Sequence, residues 1–166
     1  MRLKGLLMSA LLLVGVLGIT SGVAPVGAGG GTVYIRPDGS VDPPGAPISS
    51  VDNVTYTFTA DIYDSIVVER SNIVVDGAGY AVQGTGSGNG IDLSSRSNVT
   101  VKNTTIRNFN EGIHLNNTSE VTLIGNNITA NNDYGIWLYS SSSNSISGNT
   151  ITANNYTGIK LSSYSN

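Results

Sequence analysis

Four residues at one recurring position have the types and the spacing to meet a ligand: Asp92, His114, Trp137 and Lys160. Each is the third residue of a phrase Gly-Ile-x-Leu that starts at Gly90, Gly112, Gly135 and Gly158, at spacings of 22, 23 and 23 residues. A carboxylate, an imidazole and an ammonium supply hydrogen bonds, and an indole supplies a flat apolar face for a sugar ring. Together they suit a saccharide, and they are the substrate-binding candidates. The same four residues also satisfy the plainer demand that an outward position be soluble.

Catalysis on sugars asks for more. Hydrolases pair two carboxylates about 5–10 Å apart, and lyases need a base and a means of neutralising the uronate, often calcium. The candidates are Asp92, Glu111 and Asp133, with Arg107 able to complement a carboxylate substrate. Glu111 and Asp133 precede the glycine of consecutive repeats, in bends where polar residues are expected whatever their role. No compact Asp-Asp-x-Asp cluster occurs. An active site within these residues is therefore unassigned, and enzymatic activity stays an open question.

Metal chemistry is narrower still. Copper sites draw on His, Cys and Met, whereas this chain has one histidine, no cysteine, and methionines only at Met1 and Met8. The residues argue against copper and leave calcium open; no cofactor is expected. The missing cysteines also remove disulfides and thiol catalysis.

These side chains must be held by repeating elements. In Gly-Ile-x-Leu the Ile and Leu point to one face of a strand and x to the other. A second phrase keeps the beat: Val101, Leu123 and Ile146 are followed by Ile106, Ile128 and Ile151. Asn, Ser, Thr, Gly, Ile and Val dominate, no long helical stripe appears, and the leucine-rich phrase is absent, which excludes helical solenoids and leucine-rich repeats. The pattern predicts an all-β, right-handed parallel β-helix of about four to five coils with about 22–25 residues per coil, the coils stacked about 4.8 Å apart. Asp92, His114, Trp137 and Lys160 then stand above one another, with Val67 before them. Residues nearer the N-terminus join in register, SIVVE aligning with GIDL and NIVVDGAGY with NVTVKNTTI.

VDGAGY at 75–80, GNGIDL at 88–93, SNVTVKN at 97–103 and ISGNTITANN at 146–155 resemble the NosD-type family of parallel β-helix repeat proteins over residues 54–166. That family is related in fold to pectate lyases. The resemblance implies exported surface proteins, carbohydrate-binding or sugar-hydrolysing modules, and an accessory role in copper-site assembly. His114 alone among the ligand types makes the copper role a poor match here.

At the start, Arg2 and Lys4 precede an apolar run from Leu6 to Ile19 and a small-residue site at Val26-Gly27-Ala28. This reads as a secretory signal peptide over residues 1–28, the run being short of the roughly 20 residues of a membrane span. Residues 29–53 read as a Gly/Pro-rich linker and N-terminal cap, with a short strand at Val33 to Ile35, the cover extending over 33–59. The chain stops where another strand is due, which predicts a truncated C-terminal end and a longer parent protein.

Bends carry the remaining signals. Asp76-Gly77-Ala78-Gly79 reads as a tight bend in which Asp bonds its own backbone, and Asn126 with Asn149 as an asparagine ladder. Sequons place glycosylation candidates at Asn53, Asn98, Asn103, Asn116, Asn117, Asn127 and Asn155, with Asn127 partly hidden. With 8 basic and 11 acidic residues and a net charge of −3, no basic patch exists for nucleic acid. The expectation is a secreted or cell-surface module that binds carbohydrate or an envelope component. Alternatives are the platform of a polysaccharide lyase or hydrolase completed beyond Asn166, or a structural stalk. A membrane would be met only through the leader or a distal anchor.

Overall fold

The structure, a computed structural model, describes residues 31–163. The proposed leader over 1–28 lies outside them. Among the described residues every regular element is a strand, and the chain winds round three parallel sheets in turn. The first face stacks Thr32–Ile35, Ser65–Val68, Asn89–Asp92, Glu111–Asn116, Tyr134–Tyr139 and Thr157–Ser162. The second stacks Thr55–Phe58, Ile73–Asp76, Val99–Lys102, Thr122–Ile124 and Ser145–Ser147. The third stacks Ala81–Gln83, Thr105–Arg107, Asn127–Thr129 and Thr150–Thr152, with Ile62 bridging to Val82 beneath.

Register follows the sequence repeat. Ile66 pairs with Ile91, Ile91 with Ile113, Ile113 with Ile136 and Ile136 with Ile159. Val75, Val101, Leu123 and Ile146 make the matching ladder on the second face, and Val82, Ile106, Ile128 and Ile151 on the third. Ile66, Ile91, Ile113, Val101, Leu123, Ile106 and Ile128 are fully buried. Each such side chain contributes about 1.5–3 kcal/mol by leaving water. β-Branched residues suit a surface buried between strands above and below.

The sequence pattern places the start of the solenoid at residue 54, whereas Thr32–Ile35 already forms its first strand, parallel to Ser65–Val68. The reason is inward packing: Val33 and Ile35, like Tyr56 and Phe58, are part of the core. The covering itself comes from residues 36–54. Val41–Asp42 adds antiparallel to Thr32–Ile35, and Ile48–Ser49 adds antiparallel to Thr55–Phe58, so both sheet edges end in a reversed short strand. Arg36 pairs with Asp42 and Glu69, and the Tyr56 hydroxyl donates to the Gly39 carbonyl at 2.9 Å, tying the cover down.

The bends are filled by amide ladders. Asn126 donates to Asn149 Oδ1 at 3.0 Å and to the Val101 carbonyl at 2.9 Å, and Asn149 donates to the Leu123 carbonyl at 2.8 Å. A second ladder stands at the turn from the third face to the first, where Asn131 donates to Asn154 Oδ1 at 2.9 Å and accepts from the Phe109 amide at 3.1 Å. At Asp76 the Ala78 amide donates to Oδ1 at 3.0 Å. Gly77 there has no room for a side chain, since a Cβ would meet Thr104 at 2.3 Å in the next coil.

Candidate functional site

The outward positions of the first face form three columns. Asp92 pairs with His114, His114 with Trp137, and Trp137 with Lys160, with Val67 and Tyr34 preceding them. Beside them run Asn89, Glu111, Tyr134 and Thr157 on one flank, and Asn116, Tyr139 and Ser162 on the other. Alternation and the register of the coils put the His114 and Asn116 columns on one face; Glu111 and Tyr134, three residues before His114 and Trp137, break the alternation and join that face through their contacts with those two residues.

The middle of this surface is aromatic. Tyr134, Trp137 and Tyr139 project from one strand, with ring centroids 5.8 Å and 6.2 Å apart on either side of the indole. Tyr156, 77% exposed, meets Tyr134 edge-on at 5.6 Å. His114 meets Trp137 edge-on at 5.0 Å. The Trp137 indole N–H donates to Ser162 Oγ at 3.2 Å, which fixes the ring. Lys160 Nζ donates to the Tyr134 hydroxyl at 2.7 Å and lies 4.4 Å from that ring's centroid and 5.3 Å from that of Trp137. The bond to Tyr134 raises the Lys160 ammonium above its ordinary value.

Glu111 Oε2 lies 2.6 Å from His114 Nδ1, and their side chains are only 12% and 13% exposed. Burial pushes the His114 pKa down, but the Glu111 hydrogen bond and the charges of Glu111 and Asp92 outweigh it, so the net shift is upward. The imidazole is thereby held in one orientation and favoured in its charged form. Asp92 is committed locally: Oδ1 accepts from the Ser94 amide at 2.8 Å and its hydroxyl at 2.5 Å, and Oδ2 from Asn89 at 3.4 Å.

The candidate carboxylates do not sit as the repeat predicts. Glu111 is the first residue of a strand rather than part of a bend, and its partner one coil on is Tyr134, not Asp133. Asp133 precedes that strand in an exposed bend. The two fall out of step because the intervening turn has an extra residue, 130–133 against 108–110. Arg107 stands on the third face, where its guanidinium donates to Gln83 Oε1 at 3.1 Å and 2.8 Å, away from the aromatic row. Among the described residues no three His, Cys, Asp or Glu side chains come close enough to hold a metal ion.

Sequence reasoning singles out Trp137 and misses Tyr134, Tyr139 and Tyr156. The signal lies in YGIWLY, where the tyrosines flank the phrase at outward positions, but the spacing argument follows only the x column. Of the sequons, Asn53, Asn98, Asn103, Asn117, Asn127 and Asn155 are exposed, and Asn116 is half-buried on the first face. Asn127, expected to be partly hidden, is open because its side chain points opposite to Ile128.

The arrangement is a flat, amphipathic platform: rings at its centre, an imidazole and carboxylates toward one end, an ammonium at the other. No curated protein and no solved structure matches the chain. The model of the right-handed beta helix region matches residues 49–166. With that match over most of its length, on three parallel sheets of stacked coils, the chain belongs to the right-handed β-helix family.

Proposed function

We propose that the first face binds polysaccharide, and that the module does so outside the cell, at its surface, in the manner of the NosD-type proteins its repeats resemble. The observation that carries this reading is the row of Tyr134, Trp137 and Tyr139 along one strand, with Tyr156 beside it. Aromatic faces stack on sugar rings while hydroxyl and charged groups at their edges take hydrogen bonds. Asp92, His114 and Lys160 supply those edges. A flat strand surface also suits an extended chain, which can lie along it without entering a pocket.

Trp137→Ala is expected to weaken retention on a polysaccharide affinity gel at least about tenfold, the equivalent of about 1.4 kcal/mol, with the far-UV circular dichroism unchanged. Equal retention of the two proteins on every gel of a broad panel would remove the proposal. The sequons are a second element of the surface reading, as glycan acceptors on the exposed asparagines. Glycopeptide mass spectrometry on native material would find them occupied, and bare peptides at all seven would dismiss that element.

The half-buried Glu111–His114 pair favours a second reading, the platform of a polysaccharide lyase or hydrolase. A carboxylate that orients an imidazole is one way to prepare a proton-transfer group. Product release from a polysaccharide panel, lost in His114→Gln, would support it. Binding without cleavage by the full-length protein would leave the first reading alone.

A further inference from the structure

We propose that the cleft where the third face turns into the first, beside Asp64, is a binding site for one neutral, hydroxyl-rich ring, a single sugar residue that donates its hydroxyls to that carboxylate. It is separate from the aromatic row and does not depend on it.

The cleft exists because the bend ladder stops. In the later coils the turn into the first face is filled by Asn154 and Asn131, and the Phe109 amide donates to Asn131 at the end of that stack. Below Phe109 the filling gives way to Gly84-Thr85-Gly86-Ser87-Gly88, a longer segment than its counterpart at 108–110. Gly86 and Gly88, with φ of +100° and +69°, carry it through a backbone path that L side chains rarely take. Gly84 is barred from carrying a side chain, because a Cβ would meet the Asn108 carbonyl and the Phe109 ring at 2.5 Å. What remains is a cleft of about 210 Å³ between this segment and Phe109 on one side and Gly31, Thr32 and Tyr63 to Ser65 on the other, with Gly86 turned away from it.

Asp64 lines this cleft and is only 5% exposed. The Gly31 amide donates to its Oδ1 at 2.9 Å, and among the described residues that is its only hydrogen-bond donor. A carboxylate can accept about four hydrogen bonds; Asp64 Oδ2 has no protein donor among the described residues and is not among their buried unpartnered atoms, so it is open to donors that enter the cleft. The later coils show that an amide closing its own hydrogen bonds suffices to make this turn. Asp64 is therefore better explained by donors that arrive from outside.

The walls narrow the class of donor. The lining combines the hydroxyl-bearing residues Thr32, Ser65, Thr85 and Ser87 with the aromatic residues Tyr63 and Phe109. Such a mixture matches a sugar, whose hydroxyls ring a less polar face. None of the lining residues is basic, which disfavours an anion. Asp64 is the one acid among them, whereas calcium gathers six to eight oxygens, usually with several carboxylates. The volume falls below the roughly 300 Å³ at which drug-sized sites begin, and so suits a single ring.

The test titrates the full mature chain with glucose, galactose, mannose and xylose. Amide resonances of Gly31, Ser65 and Ser87 report on the cleft, and the fluorescence of Trp137, the chain's one tryptophan, reports on the aromatic row. At least one sugar is expected to shift the cleft amides with a Kd on the order of 1 mM, typical of a ligand of that size. Asp64→Asn keeps an acceptor for the Gly31 amide and is expected to weaken that binding at least about tenfold, as loss of a charged acceptor does. Ser87→Phe fills the cleft from its exposed rim and is expected to abolish the shifts while Asp64 stays in place. The inference is overturned if no sugar moves these amides, if Asp64→Asn binds equally well, or if calcium alone moves them. Trp137→Ala should leave the cleft shifts intact while polysaccharide retention falls, so the row and the cleft can fail independently.

Discussion

His114 shows how much a single position on the platform depends on its neighbours. In the unfolded chain it titrates near the ordinary value of 6.5, and in the folded protein Glu111 and Asp92 move it upward against the opposing effect of burial. A raised folded pKa contributes stability that is fully present below 6.5 and is lost as pH rises through the folded value. Asp76 works in the opposite sense. Burial pushes it up, but the Ala78 amide, Lys102 and Asn103 hold it below 3.8, so its contribution is lost as pH falls through that lowered value. Thermal melts across the range should therefore show highest stability in mildly acid solution and a decline as pH rises from about 6.5 through the raised His114 value. Glu111→Gln should flatten that alkaline decline, and an unaltered slope would mean that the pair does not couple to folding. The Asp92 to Lys160 column is legible from spacing alone, because Gly-Ile-x-Leu marks its own inward and outward residues. The Glu111 contact is not, since strict alternation would set Glu111 and His114, three residues apart in one strand, on opposite faces. Asp64, next to an ordinary bend, gives no sign in the sequence that it is buried.

At the scale of the element, the bends rather than the strands distinguish this solenoid from a stack of sheets. Strands in mid-stack have their hydrogen bonds met by the coils on either side; the turns between them must find partners for inward amides and carbonyls in a space that excludes water. Asn131, 1% exposed, serves the Phe109 amide, the Ile106 carbonyl and Asn154 at once. Asn131→Ala strands these groups, at roughly 1–3 kcal/mol for each buried one left unpaired. Urea unfolding should show a loss of that order, whereas Asn110→Ala, at an exposed position, should stay within about 0.5 kcal/mol of the parent. Equal effects of the two substitutions would refute the structural role of the ladder. The Asn126 and Asn149 ladder is readable because it recurs inside near-identical phrases. Its counterpart at Asn131 and Asn154 is obscured by the neighbouring asparagines, since type alone does not say which of several amides turns inward.

Across the whole molecule, each coil touches only the coil above and the coil below, so stability accumulates layer by layer. The fold is legible to within one coil from its aliphatic ladders. The first coil escapes because the reversed strands at Val41–Asp42 and Ile48–Ser49 interrupt its repeat. Because Glu111 and Tyr134 occupy the same station in successive coils, removal of residues 112–134 should leave every ladder continuous. Such a protein is expected to fold with β-type circular dichroism, a lower Tm and a smaller urea m-value, in proportion to the surface no longer buried. Failure to fold would mean that the coils are not interchangeable. The uniform register also makes the chain a ruler. Duplicating a block of that size would lengthen the rod by one graduation of about 4.8 Å and add one new member to each outward column. The reach of the molecule and the chemistry displayed on its surface can thus be revised separately, by copying a layer and then changing a single residue in it.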